Sequence, residues 1–285
     1  MNMRTTTLLY ALVLTIFASA PASALAGGQL IGTGGLGQIE GAAGGGLVPW
    51  AVISGYGTST ETSGTAFVSH ANVADYQLNV IGASVSFNNR LELSAARQVF
   101  TQSRAAAPLD APAEQDVLGA KLRVLGDLIY DDLPQVSVGI QYKRNRDSDI
   151  TLLGAERDSD WDAYIAVSRL FLGGVAGRNL LLNGTIRATR ANEVGLLGFG
   201  GPDNDDHELM AEASAAVFLD RRTAIGYEYR RKPDNLGLRE SDWHDVFVAY
   251  FPSKSLGLAV ALTDLGRIGG LPDQKGIYTS AQASF

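Results

Sequence analysis

Residues 255–263 read SLGLAVALT, and residues 277–285, at the C-terminus, read IYTSAQASF. Apolar side chains occupy every second position from Leu256 to Leu262, so an extended chain would present one apolar side and one small or polar side. Two-faced strands of about ten residues are typical of barrels that cross a bilayer, whereas strands of soluble sandwiches are shorter. The pattern predicts an all-β fold, an antiparallel transmembrane β-barrel of the outer-membrane type.

The same alternation recurs along the chain and predicts at least twelve strands. Segments 29–41 and 48–57 could add two more, and because bacterial barrels of this type have even strand numbers, we expect 12–14 strands. The predicted strands are 63–71, 76–87, 90–100, 116–128, 134–144, 160–171, 178–190, 207–219, 223–232, 242–251, 255–264 and 275–285.

Short and long links alternate between these strands, as periplasmic turns and external loops do in transmembrane barrels. Two strands are irregular. The apolar face of 76–87 changes phase near Val80–Ile81, which predicts a β-bulge. Arg97 shares a face with Leu91 and Leu93, and because an arginine at mid-bilayer depth costs about 2–4 kcal/mol, we expect it near a rim or in a re-phased strand.

The N-terminus has the features of a secretory signal peptide. Arg4 precedes the short apolar run Leu8–Ala18, and an A-x-A site ends at Ala26. We therefore predict a signal peptide at 1–26 and export to the outer membrane of a Gram-negative cell.

The mature chain divides into two parts. Residues 27–47 are rich in glycine and form either a first strand or a plug in the lumen, and 48–285 form the barrel. The run GTGGLG at Gly32–Gly37 matches a dinucleotide-binding motif, but it lacks the βαβ context that the motif requires. We interpret it as part of the N-terminal segment.

Composition excludes several kinds of function. The net charge of −7 argues against nucleic acid as a partner. The chain has no cysteine, which excludes disulfides and thiolate metal sites. We expect no cofactor and no metal site.

The last strand ends in an aromatic residue. An alternating strand closed by Phe285 resembles the assembly signal of outer-membrane barrel proteins, which the barrel-assembly machinery reads. The expected partners are this machinery during biogenesis, and then membrane lipids and lipopolysaccharide.

Two stretches carry a family resemblance. IEGAAGGGLVPWAVISGYG at Ile39–Gly57 and LELSAARQ at Leu91–Gln98 resemble an uncharacterised family of proteobacterial outer-membrane proteins, known only as a domain of unknown function. The resemblance covers the whole mature chain. It implies a barrel in the outer membrane and implies no activity.

Charged residues on the polar faces of the strands are the candidate lumen lining. Their signs are mixed, which predicts weak ion selectivity or a filled interior rather than a ring of one charge. They are Glu92, Lys121, Arg123, Lys143, Arg187, Glu208, Glu212, Glu228 and Arg230.

Aromatic residues near strand ends suggest interfacial girdles. They are Trp50, Trp161, Trp243, Tyr76, Tyr227, Tyr229, Tyr250 and Phe251.

Two histidines lie among acidic residues, His207 in PDNDDHE and His244 in SDWHD. An Asp/His pair that activates water is one interpretation, since a general base must reach its nucleophile. A solvated acidic loop, or weak binding of Ca²⁺ or Mg²⁺, is the other. His70 stands apart and is interpreted as structural.

The sequence thus favours a small, weakly selective passive channel or solute-uptake pore with no catalytic residues. The alternatives are a structural or surface-interaction barrel with a blocked lumen, and a surface-exposed hydrolase that uses Asp and His.

Overall fold

The computed structural model describes residues 29–102, 112–146 and 153–285. The predicted signal peptide at 1–26 lies outside these ranges. Within them the chain forms a closed antiparallel barrel of twelve strands, which confirms the predicted fold class. No helix among these residues is long and apolar enough to cross a membrane.

The observed strands agree with the predicted ones to within four residues at every boundary. They are β1 Thr62–Val73, β2 Tyr76–Phe87, β3 Leu91–Gln102, β4 Ala113–Leu125, β5 Gln135–Asn145, β6 Ser159–Val175, β7 Arg178–Thr189, β8 Glu208–Phe218, β9 Thr223–Arg230, β10 Trp243–Ser253, β11 Leu256–Asp264 and β12 Lys275–Ser284.

Each strand pairs with the next along the chain, and β12 pairs with β1 to close the barrel. The closing register begins where Ser284 lies opposite Thr65. Beyond it, the Phe285 N–H donates to the Gly64 carbonyl at 2.9 Å, and the Gly64 N–H donates to the Phe285 carbonyl at 2.7 Å. Closure leaves the strands of the barrel without an unpaired edge.

The alternation places a band of large apolar side chains on the outside of the barrel. Leu262 is 67% exposed and Leu118 is 58% exposed, values that are unusual for leucine in a water-soluble core. An exposed apolar surface of this extent fits a hydrocarbon environment.

The two ends of the barrel differ. We call the end with the connections 88–90, 176–177 and 219–222 the turn rim, and the end with 190–207, 231–242 and 265–274 the loop rim. Two of the described connections depart from this rhythm. Only Ala74–Asp75 join β1 and β2 at the loop rim, and nine residues, 126–134, join β4 and β5 at the turn rim. In transmembrane barrels the short turns face the periplasm.

Residues 29–57 fold inside the barrel, and we call this segment the plug. It contains a two-residue ladder in which Leu36–Gly37 pairs with Ala43–Gly44. The chain leaves the plug at the turn rim to enter β1, and the Gln29 side chain donates to the Gly57 carbonyl at 2.7 Å, so both ends of the plug are together. The two extra strands considered at 29–41 and 48–57 do not form, and the barrel begins at Thr62 rather than at 48.

The predicted bulge near Val80–Ile81 is wrong. Strand β2 keeps an unbroken register with both neighbours. Leu78 and Val80 point inward, where they are buried in the apolar core. The phase change therefore reflects an apolar patch on the inner wall rather than an extra residue in the strand.

Arg97 keeps the phase of β3 and faces outward in the half of the strand nearer the loop rim. Its guanidinium pairs with Asp116 of β4 at 2.8 Å. The ion pair between neighbouring strands neutralises the charge on the outer surface, so re-phasing is not needed.

Half of the aromatic residues assigned to girdles were placed wrongly. Trp161, Tyr227 and Tyr250 are exposed on the outer face, as expected. Four others are buried inside the barrel, where they belong to the wall or to the plug: Trp50, Trp243, Tyr76 and Phe251. Their rings pack against the plug or form part of it, and their position near strand ends in the sequence does not distinguish these two environments.

Replacing Phe285 by alanine should lower the amount of folded protein in the outer membrane while leaving refolding of the purified chain unchanged. The two bonds to Gly64 come from the main chain, so closure survives, whereas the terminal ring is lost. Heat-modifiable migration on SDS gels measures both quantities, with Thr279→Ala as an outward-facing control in the same strand. Equal membrane levels of the two variants would refute an assembly role for Phe285.

Candidate functional site

The plug is almost wholly buried, and its one charged residue is Glu40. The Glu40 side chain has no solvent exposure. Transfer of a carboxylate from water into such a place costs several kcal/mol unless charged partners and hydrogen bonds compensate. The candidate site is the set of wall residues that supply this compensation.

Three cations from three strands converge on Glu40. Arg230 donates from both terminal nitrogens to the two carboxylate oxygens, at 2.8 and 3.0 Å. Lys143 also pairs with Glu40. Arg187 lies 3.3 Å from its second oxygen. The fork of Arg230 matches the carboxylate plane, a geometry that adds specificity to the attraction of charge.

The wall holds these cations in place through its own groups. Arg187 donates to Glu212 and to Gln141, each at 2.6 Å. Asp162 lies 2.5 Å from Lys143 and 3.3 Å from Arg187. With Glu40 present, three cations face three carboxylates, and without it the wall cluster would carry one uncompensated positive charge.

Glu228 holds a second part of the plug through its backbone. The Gly46 and Leu47 N–H groups donate to one oxygen of Glu228 at 2.7 and 2.8 Å. Ser214 donates to the other oxygen at 2.7 Å, and the Trp50 indole donates to Ser214 at 2.9 Å. The chain approaches Glu228 so closely that a Cβ atom at Gly45 would lie 2.1 Å from the carboxylate.

Glu92 and Lys121 form a third contact, on adjacent strands, at 3.3 Å. Glu92 accepts from the N–H groups of Ala43 and Ser54, at 3.0 and 2.8 Å. Lys121 donates to three plug carbonyls, among them that of Val52 at 2.7 Å. The plug backbone thus satisfies both signs of wall charge, which a bare hydrocarbon core would leave unpaired.

Seven of the nine predicted lining residues are buried inside the barrel: Glu92, Lys121, Lys143, Arg187, Glu212, Glu228 and Arg230. The other two lie at the ends. Arg123 pairs with Asp127 at the turn rim, and Glu208 is exposed at the loop rim, so neither reaches the plug. Sequence reasoning missed Glu40 and Asp162, although a single charge within a long uncharged segment was a usable sign for Glu40.

The opposite side of the lumen is different. From β10 through β2, strands that are fully described, no lysine or arginine faces inward. Asp245 is a carboxylate on this side, without a hydrogen bond at one of its oxygens. The buried apolar residues here include Trp243, Phe247, Ala249, Phe251, Ala259, Ala261, Tyr278, Phe67, Tyr76, Leu78 and Val80. They lie among small polar residues such as Ser69, Ser84 and Thr263. The lumen therefore has a charged half and a half that is uncharged apart from Asp245, which we call the apolar half.

A loop covers the plug at the loop rim. Residues 191–201 of the β7–β8 connection are buried, and we call them the cap. Gln115 donates to Val194 of the cap at 3.1 Å and to Gln98 at 2.7 Å, and Gln98 donates to Ile39 of the plug at 2.8 Å. The cap and the plug are thus linked through the wall, and both close the lumen.

Glu193 anchors the cap to its neighbours. Lys232 donates to Glu193 at 2.5 Å and lies 3.4 Å from Glu240. Burial raises the pKa of the Glu193 carboxyl, Lys232 opposes this in part, and Glu240 raises the pKa further. Because the pKa of Glu193 is raised in the folded state, protonation of its carboxyl stabilises the cap at low pH. This stabilisation is lost as the pH rises through the raised pKa.

His207 and His244 contact different partners. His207 contacts the Trp161 carbonyl at 2.9 Å and lies 3.7 Å from Asp160. His244 is on the outer face of β10, hydrogen-bonded to the Tyr227 hydroxyl. No three His, Asp or Glu side chains in this part of the chain are grouped to hold a metal ion.

One family model matches most of the chain. Its description is a protein of unknown function, DUF3034, and the match covers residues 33–282. The matched range includes the plug except for its first four residues, and the twelve strands except for the last two residues of β12. No curated protein matches the sequence significantly.

Several solved structures have a similar fold. The KdgM porin is 12% identical, with a TM-score of 0.50 over 78% of this chain and 99% of that chain. Omp33 of Acinetobacter baumannii is 8% identical, with a TM-score of 0.49 over 80% and 100%. An outer-membrane channel of Pseudomonas putida F1 is 14% identical, with a TM-score of 0.42 over 84% and 97%. At these identities the likeness concerns the fold.

Gly45→Ala should destabilise the plugged state, because the added Cβ would overlap the Glu228 carboxylate. Overpacking of this kind costs about 1–3 kcal/mol. Gly184→Ala is the matched control, since a Cβ there meets no atom within 4 Å. The temperature at which heat-modifiable migration is lost measures the effect, and equal temperatures for the two variants would contradict this packing.

Proposed function

We propose that this chain, which belongs to the DUF3034 family of proteins of unknown function, is an outer-membrane channel for small solutes that the plug and the cap together close. The lumen is filled in the structure, so a permanently open pore, the simplest expectation from the sequence, does not fit. A gated channel accounts for both the filled lumen and its polar wall. The convergence of three wall cations on Glu40 carries the proposal.

The chemistry of the wall supports a lumen that becomes hydrated. A permanently closed interior gains little from buried ion pairs, because well-packed apolar residues of similar volume are often as stabilising or more so. Ionised groups such as Arg187 and Glu212 are, by contrast, well solvated by water once a channel opens. The wall is therefore suited to two states, one with the plug and one with water.

The connection of the plug to the barrel also supports gating. The plug is an N-terminal segment that joins the barrel only at β1, and it contributes no strand to the barrel. It can leave without breaking the barrel pairings. Because both of its ends lie at the turn rim, it would leave toward the periplasm.

The outer-membrane location belongs to the same proposal. The exposed apolar band and the closed barrel support it. A structural barrel with a permanently blocked lumen is the second candidate, favoured by the closure of the lumen by both plug and cap. No arrangement of His207 or His244 supports the hydrolase considered from the sequence.

Glu40→Gln should raise the open probability of the channel in planar bilayers. Removing one partner of a buried ion pair costs about 3–5 kcal/mol, and about 3 kcal/mol corresponds to roughly a hundredfold change in an equilibrium. Asp273→Asn is the matched control, because it removes one carboxylate from an exposed loop position. Refolded, heat-modifiable protein that gives no current in the wild type and in Glu40→Gln would favour the structural barrel.

A disulfide between plug and wall should hold the channel closed. A Cβ atom at Gly41 would lie 3.3 Å from the Cβ of Ala96, slightly closer than the roughly 3.5–4.5 Å that disulfides require. The φ of +99° at Gly41 strains a cysteine there in the single and the double variant alike, so the comparison of oxidised with reduced protein isolates the disulfide. The double variant Gly41→Cys and Ala96→Cys, combined with Glu40→Gln, should lose its current when oxidised and regain it with reductant. The single cysteine variants are the controls, and current that persists in the oxidised double variant would show that the plug need not move.

A further inference from the structure

From the way the wall binds Glu40, we infer that the channel takes organic anions with one carboxylate and an apolar body, and that such a solute opens the channel by competing with the plug. This inference rests on the proposed channel function. It names the class of solute that displaces the plug, which the proposal of a gated channel does not specify.

The wall residues bind the Glu40 carboxylate through contacts that a free carboxylate could also make. Arg187 is also bonded to Glu212 and Gln141, and Lys143 also contacts Asp162, and none of these contacts involves Glu40. Cations positioned in advance bind a carboxylate without a large ordering cost. The Arg230 fork, which meets both oxygens of Glu40, would meet those of a free carboxylate in the same way.

The surroundings of Glu40 specify the rest of the solute. The neighbouring plug residues Ile39 and Leu47 pack on the apolar half of the lumen. Beside them is a cavity of about 30 Å³, lined by residues that include Tyr76, Phe100 and Trp243. A solute that replaces this part of the plug has to bury an apolar body next to its carboxylate.

A second cavity also lies beside the apolar half of the lumen. It has a volume of about 20 Å³ and lies between the glycines at 44–46 and the apolar wall, near Phe247 and Ala261. Both of these cavities border the apolar half of the lumen, and a further cavity of about 50 Å³ borders the plug at the turn rim, beside Val52 and Gln135. An apolar group would gain contacts in the two cavities of the apolar half that the glycine-rich plug does not make.

The balance of charge favours one carboxylate over several. With Glu40 in place, Lys143, Arg187 and Arg230 are matched by Asp162, Glu212 and Glu40. A single carboxylate restores this balance when Glu40 leaves, whereas further negative charges would face Glu228 and Asp245. Repulsion between these carboxylates and additional negative charges on the solute would disfavour binding.

Thiol labelling of the plug tests the inference without relying on current. Ala51 is fully buried, and the natural chain has no cysteine, so Ala51→Cys provides a single reporter. N-ethylmaleimide should alkylate it slowly in the refolded, heat-modifiable protein. Addition of 4-phenylbutanoate should raise the rate saturably, by roughly tenfold, a size typical of coupling between two ligands.

Two probes separate the parts of the solute. Acetate has the carboxylate without the apolar body, and 4-phenylbutan-1-ol has the apolar body without the charge. Neither should match 4-phenylbutanoate at equal concentration. An equal effect of the alcohol, an equal effect of acetate, or no effect of 4-phenylbutanoate would each overturn the inference.

The same reporter distinguishes failure of the inference from failure of the channel. Glu40→Gln added to Ala51→Cys should speed alkylation without any solute. If it does so and conducts, while 4-phenylbutanoate leaves the Ala51→Cys single variant unchanged, the inference falls and the channel stands. If Glu40→Gln neither speeds alkylation nor raises conductance, the proposed function itself fails.

Discussion

The structure depends on the pairing of a charged inner wall with the backbone of a segment that carries one charge. Glu40 meets three cations, while Glu92, Lys121 and Glu228 meet N–H and carbonyl groups of the plug. Without the plug or water, these side chains would be unsolvated inside the barrel, at a cost of several kcal/mol for each ion. The wall therefore needs an occupant, and the plug is the occupant in the closed state.

The plug is rich in glycine for a related reason. The backbone at Gly45 passes so close to Glu228 that even a methyl group would collide with the carboxylate. Ile39 and Leu47 of the plug, by contrast, lie beside apolar residues of the wall. The segment thus has two sides that match the two halves of the lumen, although it has almost no regular secondary structure.

Where sequence reasoning failed, the cause was a missing partner. Leu78 and Val80 looked like a phase error because an inward apolar residue has no place in a water-filled barrel, and Trp243 looked like a girdle residue for the same reason. The plug explains why these residues are apolar, because Leu78, Val80 and Trp243 belong to one buried cluster with residues of the plug. Residues 48–57 resemble a strand because they are apolar. Their side chains are instead buried inside the barrel, and the segment does not join the sheet.

The sequence by itself determined the barrel. A period of two over strands of this length leaves a closed antiparallel sheet as the arrangement that satisfies every backbone group in a bilayer. It located all twelve strands and seven of the inward charges on them. Only the tertiary structure decided what those charges face. The contacts of Glu40 join residues more than a hundred positions apart. Such contacts arise from closure of the barrel around the plug, so no local pattern in the chain encodes them.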